Sequence, residues 1–348
     1  PATRRSCAGP WECNRPEVIE LRIAVIGAGA MGSVFGGLLA EGGHEVWLVD
    51  VWAEHVRAIE ERGLSIEGEG RTRTVRVRAT TSARDVGTAD LMLVFVKSYH
   101  TRAAVKSTLP IVGEDTLVLT LQNGLGNAET IAELVGPERV VAGVTAHGAT
   151  MLGPGRVRHA GVGDTHVGEL SGEITPGLRE LALTLSAAGI ATEASADVLS
   201  LLWSKIIINV GINPLTAITG LRNGQLLDYP ATEELMELAV QEAVAVAAAK
   251  GIRLMYDDPV KRVKEVARAT GQNRSSMLQD LERGRPTEID AINGAVVRAG
   301  EELGVSVPTN RVLTLLVKAL EQKGPLESRP IEGRPRGVPN PVTNVKQS

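Results

Sequence analysis

The chain has 348 residues, more than one hydrophobic core ordinarily fills, which predicts two domains. Its 43% hydrophobic and 22% charged residues are the composition of a soluble globular protein, and a net charge of −4 gives no signal for nucleic acid or an acidic membrane surface. Both cysteines, Cys7 and Cys13, lie near the N-terminus, so the folded body holds neither a disulfide framework nor a thiolate metal site.

Residues 1–20 lack the apolar segment of a secretory signal and read as a disordered leader. No apolar stretch approaches the ~20 residues needed to span a bilayer, and a cytoplasmic location is the expectation. The first structured segment is LRIAVIGAGAMG, residues 21–32, where a strand at 23–26 runs into Gly27. Gly27, Gly29 and Gly32 have the Gly-x-Gly-x-x-Gly spacing of a dinucleotide site between a strand and a helix at 31–41. Gly27 suits the tight turn, Gly29 the approach of a pyrophosphate, and Gly32 close helix–strand packing. Ala28, Ala30 and Met31 complete the loop, and the phosphates are expected at the positive end of the helix. A second strand, Glu45–Val49, ends at Asp50, at about the ~20-residue distance where a carboxylate grips the adenosine ribose. The competing role for Asp50 is as a cap of the next helix, at 52–62.

Residues 64–67 and 74–78 read as paired strands around a glycine-rich turn. The apolar runs at 91–96 and 116–121 read as buried parallel strands, followed by a helix reaching Val135 and a short strand at 140–144. Alternating strands and helices predict a doubly wound sheet with ligands at the carboxyl ends of its strands. Lys97 and Asn123 immediately follow two of these strands; the alternatives are a solvated strand end and an Asn-Gly turn. Glycine-rich residues 151–170 suggest a hairpin covering the sheet, and His147, His159 and His166 have no metal-ligand spacing. A helix at 176–188 and a strand at 190–193 close a first domain at residues 21–195.

Helical signals then take over, defining a second domain at residues 196–323. Its most informative stretch is VLSLLWSKIIINVGI, residues 198–212, in which Lys205 and Asn209, with Asn213 just beyond, fall on one helical stripe. Gly211 and Pro214 leave the end of this helix open. Trp203 and three isoleucines flank Lys205, and burial among them would lower its pKa toward proton-transfer range. A lysine on a narrow solvated face is the alternative. Further helices are expected at 230–250, 260–269, 277–283, 288–303 and 310–322, and residues 324–348, rich in Pro, Arg and Gly, read as a disordered tail.

Over residues 21–322 the chain resembles the ketopantoate reductases (2-dehydropantoate 2-reductases). GAGAMG at 27–32, LQNGLG at 121–126, LWSKIIINVGINPLTAI at 202–218, NRSSMLQD at 273–280 and TEIDAINGAVV at 287–297 carry the resemblance. It implies an α/β N-terminal Rossmann-like domain with a doubly wound, mostly parallel sheet, plus an all-α C-terminal domain. It also implies hydride transfer from a nicotinamide cofactor to 2-dehydropantoate, giving (R)-pantoate on the way to pantothenate and coenzyme A. Lys205 matches the family's catalytic lysine and Glu288 its catalytic-site glutamate. Asn209, Asn213 and Ser276 fall on substrate-contacting positions, and Lys97 and Asn123 on positions near the nicotinamide and substrate.

One departure concerns the cofactor. Many relatives use NADPH and carry a basic residue after the second strand, where this chain has Asp50-Val51-Trp52-Ala53-Glu54. The acid predicts a preference for NADH and leaves NADP open, with Arg57 the nearest cation for a 2′-phosphate. NAD-dependent D-2-hydroxyacid dehydrogenases of the D-mandelate type share the acid and resemble the WAEHV run, so another 2-keto acid is the second reading. A non-catalytic dinucleotide-binding regulator is a third, disfavoured by the joint presence of Lys205 and Glu288. The expected partners are a small 2-keto acid and, through the apolar helical domain, a second copy of the chain.

Overall fold

The computed structural model describes residues 20–68 and 70–323, so the leader with Cys7 and Cys13, and the tail, lie outside the described residues. The chain begins β1 (Arg22–Ile26), α1 (Ala30–Glu41), β2 (Glu45–Val49), α2 (Ala53–Arg62), β3 (Leu64–Gly68), β4 (Arg71–Val75), β5 (Arg78–Thr80) and β6 (Ala89–Val94). It continues α3 (Thr101–Thr108), β7 (Val112–Thr120), α4 (Asn127–Val135), β8 (Val140–Thr145), β9 (Gly148–Gly153), β10 (Arg156–Gly161), β11 (Thr165–Glu169), α5 (Pro176–Ala187) and β12 (Thr192–Ala194). The main sheet runs β12-β11-β8-β7-β6-β1-β2-β5, parallel except where β11 returns antiparallel to β8.

Alternation along β1 explains its unbroken apolar run. Ile23 and Val25 point into one core with Phe35, Leu39 and Leu48, whereas Ala24 and Ile26 point into another with Met92, Val94 and Ile131. Both faces are covered, so both sets of side chains must be apolar. A smaller sheet, β4-β3-β10-β9, covers α1 from outside. Two glycines let α1 fit between the sheets: a Cβ on Gly36 would collide with Leu48, and one on Gly37 would lie 2.5 Å from Ile66 Cδ1.

The second domain contains α6 (Val198–Thr219), α7 (Pro230–Ala249), α8 (Pro259–Ala269), α9 (Ser276–Glu282), α10 (Asn293–Leu303) and α11 (Pro308–Lys323). Helix α6 is its centre, capped by Asp197, which accepts the Ser200 N–H at 3.1 Å. Pro214 lies inside α6 and has no N–H for the Val210 carbonyl. Asn293 Nδ2 donates to that carbonyl at 3.3 Å, so the helix passes the proline with no orphaned acceptor there and continues to Thr219. Around it pack Met236, Val240, Val263, Val296 and Leu313.

Several expected elements change. The strand expected at 74–78 divides into β4, in the small sheet, and β5, which joins β2 in the main sheet. Residues 151–170 do not form one covering hairpin: β9 and β10 belong to the small sheet and β11 to the main one. Helix α3 was not foreseen, because its eight residues carry only a short apolar stripe. At 22 residues α6 is long and apolar enough to cross a membrane, contrary to the expectation that no stretch approaches that length. Its most apolar stretch is 72% buried within the protein, as befits a core helix. Glu288 does not begin a helix; it stands in a turn and α10 starts at Asn293.

Candidate active site

A cleft of about 950 Å³ opens between the carboxyl ends of the sheet strands and the helical domain. The glycine loop forms one end. Gly27, with φ of 94°, donates its N–H to the Val49 carbonyl at 2.8 Å, and a Cβ there would lie 2.7 Å from Val96 N. Gly29 caps α1 without a side chain and has no atom within 4 Å of where a Cβ would be. A Cβ on Gly32 would overlap the Gly27 carbonyl oxygen. The loop therefore presents open backbone and a helix N-terminus with free N–H groups, which fits the pyrophosphate of a dinucleotide. Ala30 and Met31 line the cleft, but Ala28 does not; its methyl is buried in the core and its carbonyl accepts from Ser33 Oγ at 2.8 Å.

Asp50 lies on the cleft wall beside Trp52. Its Oδ1 accepts the Trp52 N–H at 2.9 Å, so it does brace the turn into α2, while Oδ2 faces no protein donor among the described residues. Arg57 is exposed and is not part of this wall; Arg84, on the loop after β5, is.

The other end of the cleft is ionic. Lys97 Nζ, from the sheet domain, contacts Asp280 Oδ2 at 2.6 Å and Glu288 Oε2 at 3.2 Å, both from the helical domain. Glu288 Oε1 accepts the Ser98 N–H at 3.0 Å. Burial alone would lower the Lys97 pKa, but attraction to Glu288 and Asp280 and their hydrogen bonds outweigh it, and the net shift is upward. Among the described residues, Glu288 is the one charge partner of Lys205. Its Nζ donates to the Thr145 carbonyl at 3.1 Å, and burial takes its pKa down to about 8 despite Glu288. Of the two lysines, Lys205 is the one able to exchange a proton near neutral pH, whereas Lys97 is a fixed positive charge.

Asn123 also lines the cleft, on a loop held against Ala291 of the helical domain. Leu125 N–H donates to the Ala291 carbonyl at 2.9 Å, and Gly124, with φ of 91°, presses against Ala291. Ser276 is exposed at the start of α9, whose cap is its neighbour Ser275, accepting from Leu278 N–H at 3.1 Å. Asn209 and Asn213 lie one and two turns beyond Lys205, half-buried and buried; among the described residues of α6, Lys205 alone lines the cleft. Of the expected site residues, then, Lys97, Asn123, Lys205, Ser276 and Glu288 converge at one end.

Two further residues organise this end. Asp280 closes the NRSSMLQD motif, and nothing local marks its partner, 183 positions away. Gln122, within LQNGLG, donates to the Val96 carbonyl at 2.5 Å and Thr101 Oγ1 at 2.8 Å, tying the Lys97 loop to the Asn123 loop. His147 and His159 stack with a 2.8 Å Nδ1–Nε2 contact, and no group of three or more His, Cys, Asp and Glu suited to a metal occurs among the described residues.

Open glycine loop, sheet-edge cleft and a lysine poised for proton transfer define a nicotinamide-dinucleotide-dependent oxidoreductase. The family model for ketopantoate reductase PanE/ApbA matches residues 23–172 and that for its C-terminal region residues 197–321; the chain belongs to the ketopantoate reductase family. It is 39% identical to a 2-dehydropantoate 2-reductase of Halobacterium salinarum, over 87% of this chain and all of that protein. Its counterpart from Archaeoglobus fulgidus is 37% identical, over 86% and 98%. Among solved structures, a PanE/ApbA family ketopantoate reductase from Ralstonia eutropha JMP134 superposes with a TM-score of 0.81 at 40% identity, covering 86% of this chain and 98% of that one. A ternary structure of D-mandelate dehydrogenase with NADH and anilino(oxo)acetate superposes with a TM-score of 0.81 at 32% identity, with the same coverage.

The tight contact at Gly32 yields a test. Gly32→Ala forces the loop apart, at a cost of about 1–3 kcal/mol in stability, and should weaken NADH binding at least tenfold in a fluorescence titration. Parent-like affinity would show that the glycine loop does not hold the dinucleotide.

Proposed function

We propose that the protein reduces 2-dehydropantoate to (R)-pantoate, using NADH in preference to NADPH. The observation that carries this reading is the convergence of Lys205 and Glu288 on one end of a cleft whose other end is the open glycine loop. When bound, the reduced nicotinamide supplies the hydride. Negative charge then develops on the former keto oxygen, and Lys205 Nζ donates the proton that makes it a hydroxyl. Glu288, with its charge already shared between two lysines, accepts a hydrogen bond from that hydroxyl and keeps Lys205 charged until the proton leaves. Lys97 offsets charge at the same point without surrendering its own proton. Asn123 from the sheet domain and Ser276 from the helical domain, both lining the cleft, orient the keto acid. Asn209 and Asn213 have only the resemblance as support, since neither reaches the wall.

NADH preference rests on Asp50. Its free oxygen accepts from a ribose hydroxyl but repels a 2′-phosphate of charge about −2. D-mandelate dehydrogenase, solved with NADH, favours the same cofactor reading and also sustains the alternative that another 2-keto acid is the substrate. The proposal includes a cytoplasmic location and a homodimer, the latter supported by Leu235, Leu238, Val312, Leu315 and Leu316 exposed on α7 and α11.

Comparing kcat/KM for 2-dehydropantoate and benzoylformate decides between substrates: the first should be preferred, and a strong preference for benzoylformate would select the D-mandelate-type reading. For the proton donor, Lys205 must be charged to act, so reduction should be level below pH about 8 and fall above it, while oxidation of the hydroxy acid, needing the neutral amine, rises over that range. Lys205→Ala should lower kcat about 10²–10⁴-fold with NADH affinity retained; survival of most of kcat would remove Lys205 from the role. For the cofactor, Asp50→Arg should shift the ratio of kcat/KM values toward NADPH, and tighter binding of NADPH than NADH by the parent protein would overturn the assignment to Asp50.

A further inference from the structure

His55, in α2, is fully buried. It is also hydrogen-bonded at both ring nitrogens. The Gly155 N–H, in the turn between β9 and β10, donates to His55 Nδ1 at 2.9 Å. A nitrogen that accepts there carries no proton, so in the neutral ring the proton is on Nε2. Nε2 faces Ser33 Oγ at 3.3 Å, and Ser33 in turn donates to the Ala28 carbonyl at 2.8 Å. Each donor has one acceptor and the direction is unambiguous: Gly155 to His55 to Ser33 to Ala28. Burial holds the imidazole pKa below its ordinary value, against the raising influence of Asp50 and of the Ala28 backbone, and the neutral ring this chain needs prevails at neutral pH.

The chain ends inside the glycine loop, on the carbonyl between Gly27 and Gly29. His55 has a second contact with the cleft through its ring face. Trp52 stacks on it with centroids 5.1 Å apart and planes 12° from parallel. Trp52 stands on the cleft wall, and its N–H is the group that Asp50 Oδ1 accepts. The ring thus touches both parts of the cofactor site, the phosphate loop through Ser33 and the ribose turn through Trp52. A phenyl ring would fill the same space but could make neither directional bond.

We propose that His55 is a positioning residue for the dinucleotide, setting the Ala28 carbonyl of the glycine loop through Ser33 and the Trp52 indole beside Asp50 through its ring face. The two ends of the cofactor site are thereby held in register by one side chain that never touches the cofactor. The inference rests on the dinucleotide reading of the cleft.

Three variants separate this role from ordinary core filling. His55→Phe keeps the stacking face and loses both hydrogen bonds. His55→Gln keeps a donor and an acceptor and loses the ring. Ser33→Ala removes the hydroxyl that joins His55 Nε2 to the Ala28 carbonyl and keeps the Gly155 bond and the ring stack. Dissociation constants for NADH and for ADP-ribose, KM for NADH and for the keto acid, kcat and Tm are measured for each. Loss of a buried hydrogen bond on the site should weaken NADH and ADP-ribose about tenfold in His55→Phe and about three- to tenfold in Ser33→Ala. His55→Gln should recover part of the loss. The KM for the keto acid, and kcat at saturating NADH, should stay within twofold of the parent, and Ser33→Ala should add little on top of His55→Phe, because both cut one chain. Lower Tm with unchanged affinity for NADH and ADP-ribose in these variants would overturn the proposal and leave His55 a core residue. If His55→Phe fails to fold, Ser33→Ala decides by the same criterion. A parent protein that binds neither NADH nor NADPH overturns the dinucleotide reading and this inference with it, a result distinct from a parent that binds and variants that bind equally well.

Discussion

The contact of Lys97 with Asp280 and Glu288 sets the chemistry of the whole cleft. A half-buried cation from the sheet domain meets two buried carboxylates from the helical domain. Such charges are costly to bury singly and tolerable when paired. The pairing fixes Glu288 in place, with its other oxygen on the Ser98 N–H. It also creates the asymmetry between the two lysines. Lys97, with two carboxylates, is pushed toward permanent charge, whereas Lys205, with burial and a shared Glu288, is brought to about 8. One carboxylate placed between two ammonium groups leaves one lysine firmly charged and the other able to titrate near neutral pH.

That arrangement requires Lys205 to stand at a fixed height on a long rigid helix. Helix α6 reaches it by running 22 residues through a proline, and Asn293 supplies the donor that Pro214 leaves missing. Asn293 is itself held by Asn310, whose Oδ1 accepts from it at 3.0 Å. The NG of TEIDAINGAVV thus supports the helix that carries the lysine, while the glutamate of the same motif faces it. Gly211 serves the same end from the opposite side, since a Cβ there would lie 2.9 Å from both Val240 and Val263 side-chain carbons. The interior of the helical domain packs tightly around α6.

At the other end of the cleft the constraint is steric. Gly27 and Gly32 are compressed against backbone while Gly29 is left open, so a single loop is tight on its protein side and free on its ligand side. The small sheet reinforces this from behind, pressing on α1 and supplying the Gly155 N–H to His55.

Residues 23–50 were readable without a structure because turn, helix start and strand end are local events, set by glycines and an acid at short spacings. The apolar flanks of Lys205 left burial and a narrow solvated face both open, and packing decided for burial, whereas alternating strands and helices announced the fold class. Asn209 and Asn213 show the limit: a shared stripe on a helix gives a direction, not a neighbour, and among the described residues of α6 Lys205 alone lines the cleft. Glu288 shows another, since a run of helix-forming residues does not say where the first turn closes. What only the tertiary structure decided are the contacts between distant segments: Lys97 with Asp280 across 183 positions, Asn293 with the Val210 carbonyl across 83, and Gly155 with His55 across 100. Each satisfies a buried charge or polar group whose partner is chosen by how the domains and sheets pack, and no spacing along the chain encodes that choice.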